Sequence, residues 1–358
     1  MRENIVNSSD FKKRYYGIDV LRLLLMYAVV IIHILGHGGI LESVEIGDSS
    51  MKYNMYYLIK VIVTCSVDCY ALISGFVSSN KETQNYSKII VRWAQVVFYS
   101  FVLSLVLAVF GMAEIKSGKT LIRLVFPVTG GGYWYFTCFF ALFFLQPYIN
   151  RMLNSLCDKE LKKLFGVLLI LFSFQSVVTD PYHMNVGFSA AWIIVLYILG
   201  NIMRRINLLK RIKCGYLCLL FVTSVMISWL PIVAFRNTTF TSCLSPTMVF
   251  QGMVLIELFS RLQKVPAFLT KISSLAFGVY LFHENNYVRT LIVKDKFLFV
   301  KDLNLIQGYF VVLGSALLIF FIGLFIDEFR TALFRTINME GISNSFCKWI
   351  QRKWEKDM

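Results

Sequence analysis

Long apolar runs are the feature of this sequence that most restricts its fold. A helix that crosses the hydrocarbon core of a bilayer needs about 20 mostly apolar residues. Ten runs reach or approach this length: 18–36, 56–77, 89–111, 133–150, 163–178, 188–203, 213–234, 244–260, 265–285 and 305–327. Because 57% of the residues are hydrophobic and only 16% are charged, too few polar side chains remain to cover a globular surface in water. We therefore predict an all-α, polytopic transmembrane bundle of about ten spanning helices and exclude a water-soluble enzyme.

The distribution of Lys and Arg predicts how this bundle is oriented. With the N-terminus in the cytoplasm, the inner segments hold 25 of the 36 basic residues and the outer segments hold nine. The positive-inside rule then places both termini in the cytoplasm, with 1–17 as an N-terminal segment and 328–358 as a basic tail. Without a repeat or a second lobe, we predict one integral-membrane domain over 1–358 and no cleavable signal peptide. The expected location is the cell membrane, and a bacterial plasma membrane fits best.

The formal charge of +15 and the eight cysteines fit a membrane protein. The basic residues stand between apolar runs, as expected beside an anionic leaflet, so we predict a lipid bilayer and no nucleic acid as partner. The segment 119–128 is too short to span the bilayer and is predicted to lie at its interface. The cysteines have no histidine close by in sequence, so we predict structural thiols and no metal site.

The first apolar run carries a stripe of ionisable side chains. On a helix, Asp19, Arg22, His33 and His37 fall within about 60° of one another. Because such groups are costly in a membrane and mark functional sites, we expect the stripe to face a protein-lined cavity and take His33, Arg22 and Asp19 as catalytic candidates. The alternatives are an i,i+3 pair of Asp19 and Arg22 at the interface, a packing role for His33 and an interfacial role for His37.

The second run carries Lys60, Thr64 and Asp68 on one helix face. Asp68 lies near the middle of the run and needs a cationic or hydrogen-bonding partner. We predict a structural ion pair between Asp68 and Arg22 or Arg92. Lys60 is expected to extend toward the interface.

Two further groups of polar residues stand at opposite ends of the predicted bundle. Lys88 and Arg92 open the third run, with Gln95 one turn later, and two cations there suit a phosphorylated ligand as well as an ordinary basic flank. At the outer level of His33, the sequence places His283, Glu284, Trp134 and Tyr135. The chain therefore offers an inner cationic level and an outer imidazole level.

These motifs, taken in order, resemble those of the acyltransferase-3 family of integral-membrane O-acyltransferases. The resemblance extends over nearly the whole chain and lies in GIDVLR with His33 eleven residues after Arg22, ISGF at 73–76, the basic start of the third run, YWYF at 133–136 with QP at 146–147, and GVYLFHE around His283. The sequence departs from the family at a motif that concerns donor binding. The family often has R-x-x-R at the start of the third span, whereas here Gln95 stands in place of the second arginine after Arg92. Lys88, one turn before Arg92, is the other cation available there.

The resemblance implies transfer of an acyl group, usually acetyl, from a coenzyme A thioester to a hydroxyl of a polysaccharide or its lipid-linked precursor. Acetyl-CoA would be a co-substrate, with no bound cofactor. His33 would be the base or a transient acyl carrier. The donor would be held by Arg22, Lys88, Arg92 and Gln95, and the carbohydrate acceptor side would be shaped by His283, Glu284, Trp134 and Tyr135.

Two other functions stay open on the sequence alone. Ten spans with buried charges also suit a transporter or flippase of a glycolipid or sugar precursor, although repeat halves are lacking. A non-catalytic membrane sensor or assembly partner is the second alternative. The sequence leaves a homo-oligomer open.

Overall fold

The structure is a computed structural model that describes residues 14–46, 50–79, 81–115 and 117–357, and every regular element in these ranges is helical. The helices in the first half are α1 (Tyr16–Gly36), α2 (Ile40–Ile46), α3 (Ser50–Ser78), α4 (Tyr86–Val97), α5 (Leu103–Val109), α6 (Gly118–Val125), α7 (Trp134–Asn154) and α8 (Asp158–Leu169). Those in the second half are α9 (Ala190–Arg205), α10 (Cys214–Phe235), α11 (Pro246–Ser260), α12 (Ala267–Ser273), α13 (Ala276–His283), α14 (Asn286–Ile292), α15 (Leu305–Thr336) and α16 (Met339–Asp357).

Within the described residues, six helical stretches are long and apolar enough to cross a membrane. They are Tyr16–Gly36, Ser50–Ser78, Tyr86–Val109, Cys214–Phe235, Thr239–Ser260 and Leu305–Thr336. The other predicted runs are helical too, but α8 and α9 have only 12 and 16 residues. α7 is less apolar because polar residues such as Gln146 and Asn150 occupy its second half. All-helical architecture is thus confirmed, whereas the count of ten spans and the cytoplasmic termini stay predictions.

The ninth apolar run is not one helix, which corrects the sequence-based expectation for 265–285. It is divided into α12 and α13 at Ser274 and Leu275. The hydroxyls of Ser273 and Ser274 donate to the backbone carbonyls of Thr270 and Lys271. Such local bonds compete with the regular helical ladder, and they occur here at the end of α12.

Two glycines let α3 and α9 approach closely at the centre of the bundle. A Cβ atom at Gly75 would lie 1.9 Å from the carbonyl oxygen of Tyr197, and one at Gly200 would lie 2.1 Å from that of Leu72. Small residues that bring backbones together are a common basis of helix association in membranes. This contact holds α9 against α3, and α3 also packs against α1.

α1 is enclosed on several sides. It packs against α3, α11, α12, α13 and α15. Its polar stripe therefore has protein elements around it. The short α6, by contrast, has no buried residue, and an interfacial role for 119–128 stays a prediction.

Candidate functional site

A cavity of about 1330 Å³ follows the polar stripe of α1. Asp19, Arg22, His33 and His37 all line it. The prediction that the stripe faces a protein-lined space is therefore confirmed. Since α1 is continuous between Arg22 and His33, a rise of about 1.5 Å per residue separates their Cα atoms by about 16 Å along the helix.

We label the end of the cavity at the start of α1 the inner end and the end at His33 the outer end, after the predicted orientation. The inner end contains an acid held between two guanidinium groups. Asp19 is buried and lies 3.0 Å from Arg22 and 3.1 Å from Arg14. The predicted i,i+3 pair is thus present, but it lines the cavity. The hydroxyl of Tyr70 also donates to the Arg22 carbonyl oxygen at 2.5 Å, which fastens this turn of α1 to α3.

Arg92 is a second cation at this end. It lines the cavity, donates from NH1 to Oε1 of Gln95 at 2.8 Å and lies 5.6 Å above the ring of Phe277. Among the described residues, no carboxylate lies within 4.0 Å of its nitrogens. A guanidinium with neutral partners is suited to bind an anion.

The other two predicted donor-site residues do not reach the cavity directly. Lys88 is exposed and does not line it. Arg92, one helical turn later, does line the cavity, and a joint role of Lys88 and Arg92 around one ligand stays a prediction. Gln95 is buried and contacts Arg92 instead of the cavity.

The outer level of the cavity is built around two histidines in contact. Nδ1 of His33 lies 2.8 Å from Nε2 of His283, and Nδ1 of His283 lies 2.6 Å from the carbonyl oxygen of Val279. A carbonyl only accepts, so His283 carries its proton on Nδ1 and presents a bare Nε2. His33 then donates from Nδ1, which leaves the lone pair on its own Nε2. An imidazole in this tautomer can accept a proton.

Glu284 adds a negative charge beside this pair. Its Oε1 lies 3.2 Å from Nδ1 of His33, and its Oε2 accepts from Arg289 at 3.2 Å. Oε1 makes no aligned hydrogen bond, because the Nδ1 proton of His33 points to His283. The carboxylate therefore acts on His33 through its charge, which favours the protonated imidazole.

The local sequence explains how Glu284 and Arg289 meet. α13 ends at His283, and the side chain of Asn285 caps α14 by accepting from two backbone N–H groups. The same side chain donates to the carbonyl oxygen of Tyr99, which ties the turn to the third apolar run. The turn between α13 and α14 thus brings Arg289 back to Glu284. His283 and Glu284, predicted as acceptor-side residues at the level of His33, directly contact His33.

His33, His283 and Glu284 also form a group that could hold a metal ion, with ligand atoms within 4.8 Å of one another. A proton shared between the two imidazoles accounts for the same contact. The eight cysteines are free thiols and take no part in this group. The expectation of no metal site stays a prediction.

Aromatic and hydroxyl-bearing side chains line the rest of the outer end. Trp134 and Tyr135 both face the cavity, and Trp134 packs edge-on against Phe188 at 4.9 Å. Sequence analysis missed the polar rim, which comes from two connecting loops and comprises Thr179, Asp180, Asn185, Thr238, Thr239, Thr241 and Ser242. The clusters of Thr, Asn and Ser between apolar runs were the available signal.

The predicted ion pair of Asp68 is wrong. Asp68 is fully buried and accepts from Nε1 of Trp192 at 3.1 Å, and no cation within the described ranges lies within ion-pair distance. Arg22 is paired with Asp19, and Arg92 with Gln95. The neutral indole supplies the hydrogen bond because Ser189 caps α9 and places Trp192 in its first turn.

A buried ion pair on α15 was not anticipated. Asp327 and Arg330 are both buried, and Arg330 donates from Nε and NH2 to the two carboxylate oxygens at 3.0 and 2.5 Å. The signal was present, since IDEFR repeats the I-D-x-x-R pattern of IDVLR on α1. The tenth predicted run ended at 327, which assigned Arg330 to the basic tail.

Comparison with known proteins identifies the family. The model of the acyltransferase domain of the acyltransferase-3 family matches residues 15–326. No curated protein and no solved structure matches the chain. The matched region holds α1 to α14 and most of α15, and with them the cavity described above. The chain therefore belongs to the acyltransferase-3 family of membrane O-acyltransferases.

Proposed function

We propose that this protein transfers an acetyl group from acetyl-CoA to a hydroxyl of a cell-surface or secreted carbohydrate, or of its lipid-linked precursor. The observation that carries the proposal is one cavity with cations at one end and a basic imidazole at the other. The arm of coenzyme A between its pyrophosphate and sulfur contains about 13 bonds. At about 3.5 Å for every three bonds it spans about 15 Å, close to the rise between Arg22 and His33.

The donor is proposed to enter with its phosphates at the inner end. Arg22 and Arg92 line this end. Asp19 offsets the charge of one guanidinium, while Arg14 and Arg22 both contact it. The three arginines therefore exceed the one carboxylate by two charges, which favours an anionic ligand.

His33 is proposed to act as the general base. Its Nε2 takes the proton of the acceptor hydroxyl while that oxygen bonds to the thioester carbonyl carbon. The carbon–sulfur bond then breaks, and the imidazolium returns the proton to the departing thiolate. His283 orients the ring, and the charge of Glu284 stabilises the imidazolium while it exists.

The outer end suits a carbohydrate. Hydroxyl and amide groups on the rim match the donors and acceptors of a sugar, and Trp134 and Tyr135 offer aromatic faces for its C–H surface. We place the protein in the cell membrane as a multi-pass protein, with the donor supplied from the cytoplasm. The excess of basic residues on the inner side supports this orientation.

The test is acetyl transfer by the purified protein from labelled acetyl-CoA to glycan fragments, with His33→Asn beside His183→Asn as a matched control. His183 is exposed and does not itself line the cavity, although neighbours in its loop do, and its positive φ of 52° is one that asparagine tolerates. Loss of a general base lowers the rate about 10²–10⁴-fold, so His33→Asn should show this loss and His183→Asn none. Equal rates in both variants would remove His33 from the mechanism. Wild-type protein that turns over no acyl donor would favour a transporter.

A further inference from the structure

A chain of hydrogen bonds links a buried carboxylate on α15 to a cation in the cavity. Oδ1 of Asp327 accepts from Nε2 of Gln95 at 2.9 Å, and Oε1 of Gln95 accepts from NH1 of Arg92 at 2.8 Å. We infer that Asp327 and Gln95 are positioning residues that hold the Arg92 guanidinium in place for the phosphates of the acyl donor. The inference rests on the proposed function, because it assumes that Arg92 meets those phosphates.

The donors and acceptors in this series of hydrogen bonds can be arranged in one way only. A carboxylate only accepts hydrogen bonds and a guanidinium only donates them. The amide of Gln95 must therefore turn its NH2 group to Asp327 and its oxygen to Arg92. If the amide were flipped, its NH2 group would face the Arg92 donor and its oxygen would face the Asp327 acceptor, and both hydrogen bonds would be lost. The two partners therefore fix the orientation of the Gln95 amide.

Asp327 is itself held from several directions. Besides Gln95, it accepts from the hydroxyl of Tyr99 at 3.0 Å and from Arg330 through both oxygens. It lies against α13 at Gly278, where an added Cβ atom would come within 2.2 Å of the Asp327 carboxyl carbon. These contacts hold the Asp327 carboxylate in one position, and its hydrogen bond to Gln95 holds the Gln95 amide in turn.

The ion pair with Arg330 explains why this anchor does not cancel the charge of Arg92. Arg330 balances the charge of Asp327. Arg92 is contacted through a neutral amide, and its positive charge stays available at the cavity wall. The network therefore orients a cation without neutralising it.

The experiment measures binding of coenzyme A itself to the purified full chain, together with KM for acetyl-CoA and kcat. Gln95→Met keeps the length of the side chain and removes both bonds. The matched control is Gln251→Met, since Gln251 is also a buried helical amide but lies outside the cavity and has no hydrogen-bond partner among the described residues. We expect Gln95→Met to weaken coenzyme A binding about tenfold, as for one charge-assisted hydrogen bond, and to raise KM with little change in kcat. Gln251→Met should leave both unchanged.

A double variant separates positioning from folding. If Gln95 acts through Arg92, adding Gln95→Met to Arg92→Ala should cause no further loss of affinity. Asp327→Asn is the second single variant, because it removes the negative charge that Gln95 and Arg330 both contact and leaves its amide opposing a donor of one of them. The anchor of Gln95 is weakened in either orientation of that amide, and we expect binding to weaken in the same way. Should Gln95→Met not fold, Asp327→Asn carries the test.

The outcomes distinguish the two proposals. Unchanged coenzyme A affinity in a folded Gln95→Met or Asp327→Asn, with affinity lost in Arg92→Ala, would overturn the positioning role and leave the donor site standing. Additive losses in the double variant would overturn it as well. Wild-type protein that binds no coenzyme A would overturn the proposed donor site and this inference together.

Discussion

Nδ1 of His33 lies 2.8 Å from Nε2 of His283, although the two residues are 250 positions apart in the sequence. α1 supplies the first imidazole from the middle of a polar stripe, and α13 supplies the second at its last residue. The contact fixes which ring nitrogen of His33 bears the proton. It also makes α13 part of the site, so that reactivity at His33 depends on the turn between α13 and α14.

Replacing His283 by Leu should lower kcat on the order of 100-fold and leave KM for acetyl-CoA nearly unchanged. His33 would lose the acceptor that fixes its ring, and misplacement of a reacting group by about 1 Å can cost this much. Steady-state kinetics of purified protein with varied acetyl-CoA would measure both constants. A kcat equal to that of wild type would show that His33 needs no support from His283.

Glu284→Gln should lower kcat while the protein keeps its fold. The amide preserves the size of the side chain but removes the negative charge 3.2 Å from Nδ1 of His33. The imidazolium formed during transfer would then be less stable, and we expect a loss of about tenfold or more, the scale of one charge-assisted contact. The control is Glu160→Gln, which removes a carboxylate that is exposed and outside the cavity. Equal kcat in the two variants would contradict a role for the charge of Glu284.

Much of α1 could be predicted from the sequence because helical geometry is local. The positions of Asp19, Arg22 and His33 on one face follow from 100° per residue, and burial of that stripe follows from the cost of charge in a membrane. The chain thus indicated the site on its first helix.

Long-range partners could not be predicted in this way. Asp68 meets Trp192 across 124 positions, and Gln95 meets Asp327 across 232. The helical rise from the end of each apolar run placed His283 at the same depth in the membrane as His33. It did not predict their contact, because depth does not determine which helices are neighbours. The break between α12 and α13 was missed because apolar content alone does not reveal hydroxyl bonds to the backbone.

Asp68→Asn should leave the protein as stable as wild type or stabilise it by about 1 kcal/mol. Asn can still accept the Trp192 hydrogen bond, while the second carboxylate oxygen, which has no hydrogen-bond partner among the described residues, is replaced by a neutral group. If Asp68 were half of a buried ion pair, the same change would cost about 3–5 kcal/mol. Thermal unfolding of purified protein in detergent separates these cases. A large fall in the Tm of Asp68→Asn would indicate that Asp68 does form a buried ion pair.

Gly75→Ala should destabilise the bundle strongly, because the added Cβ atom would lie 1.9 Å from the carbonyl oxygen of Tyr197. Backbone has to move to relieve such a contact, and overpacking of this kind costs about 1–3 kcal/mol or more. Gly314→Ala is the matched control, since Gly314 lies on α15 with nothing within 4 Å of an added Cβ. There the gain in helix propensity, up to about 1 kcal/mol in water, should leave Tm unchanged or slightly higher. Equal Tm values for the two variants would mean that α3 and α9 are not in close backbone contact at Gly75. The measurement is Tm in detergent, with membrane abundance of each variant as a second readout.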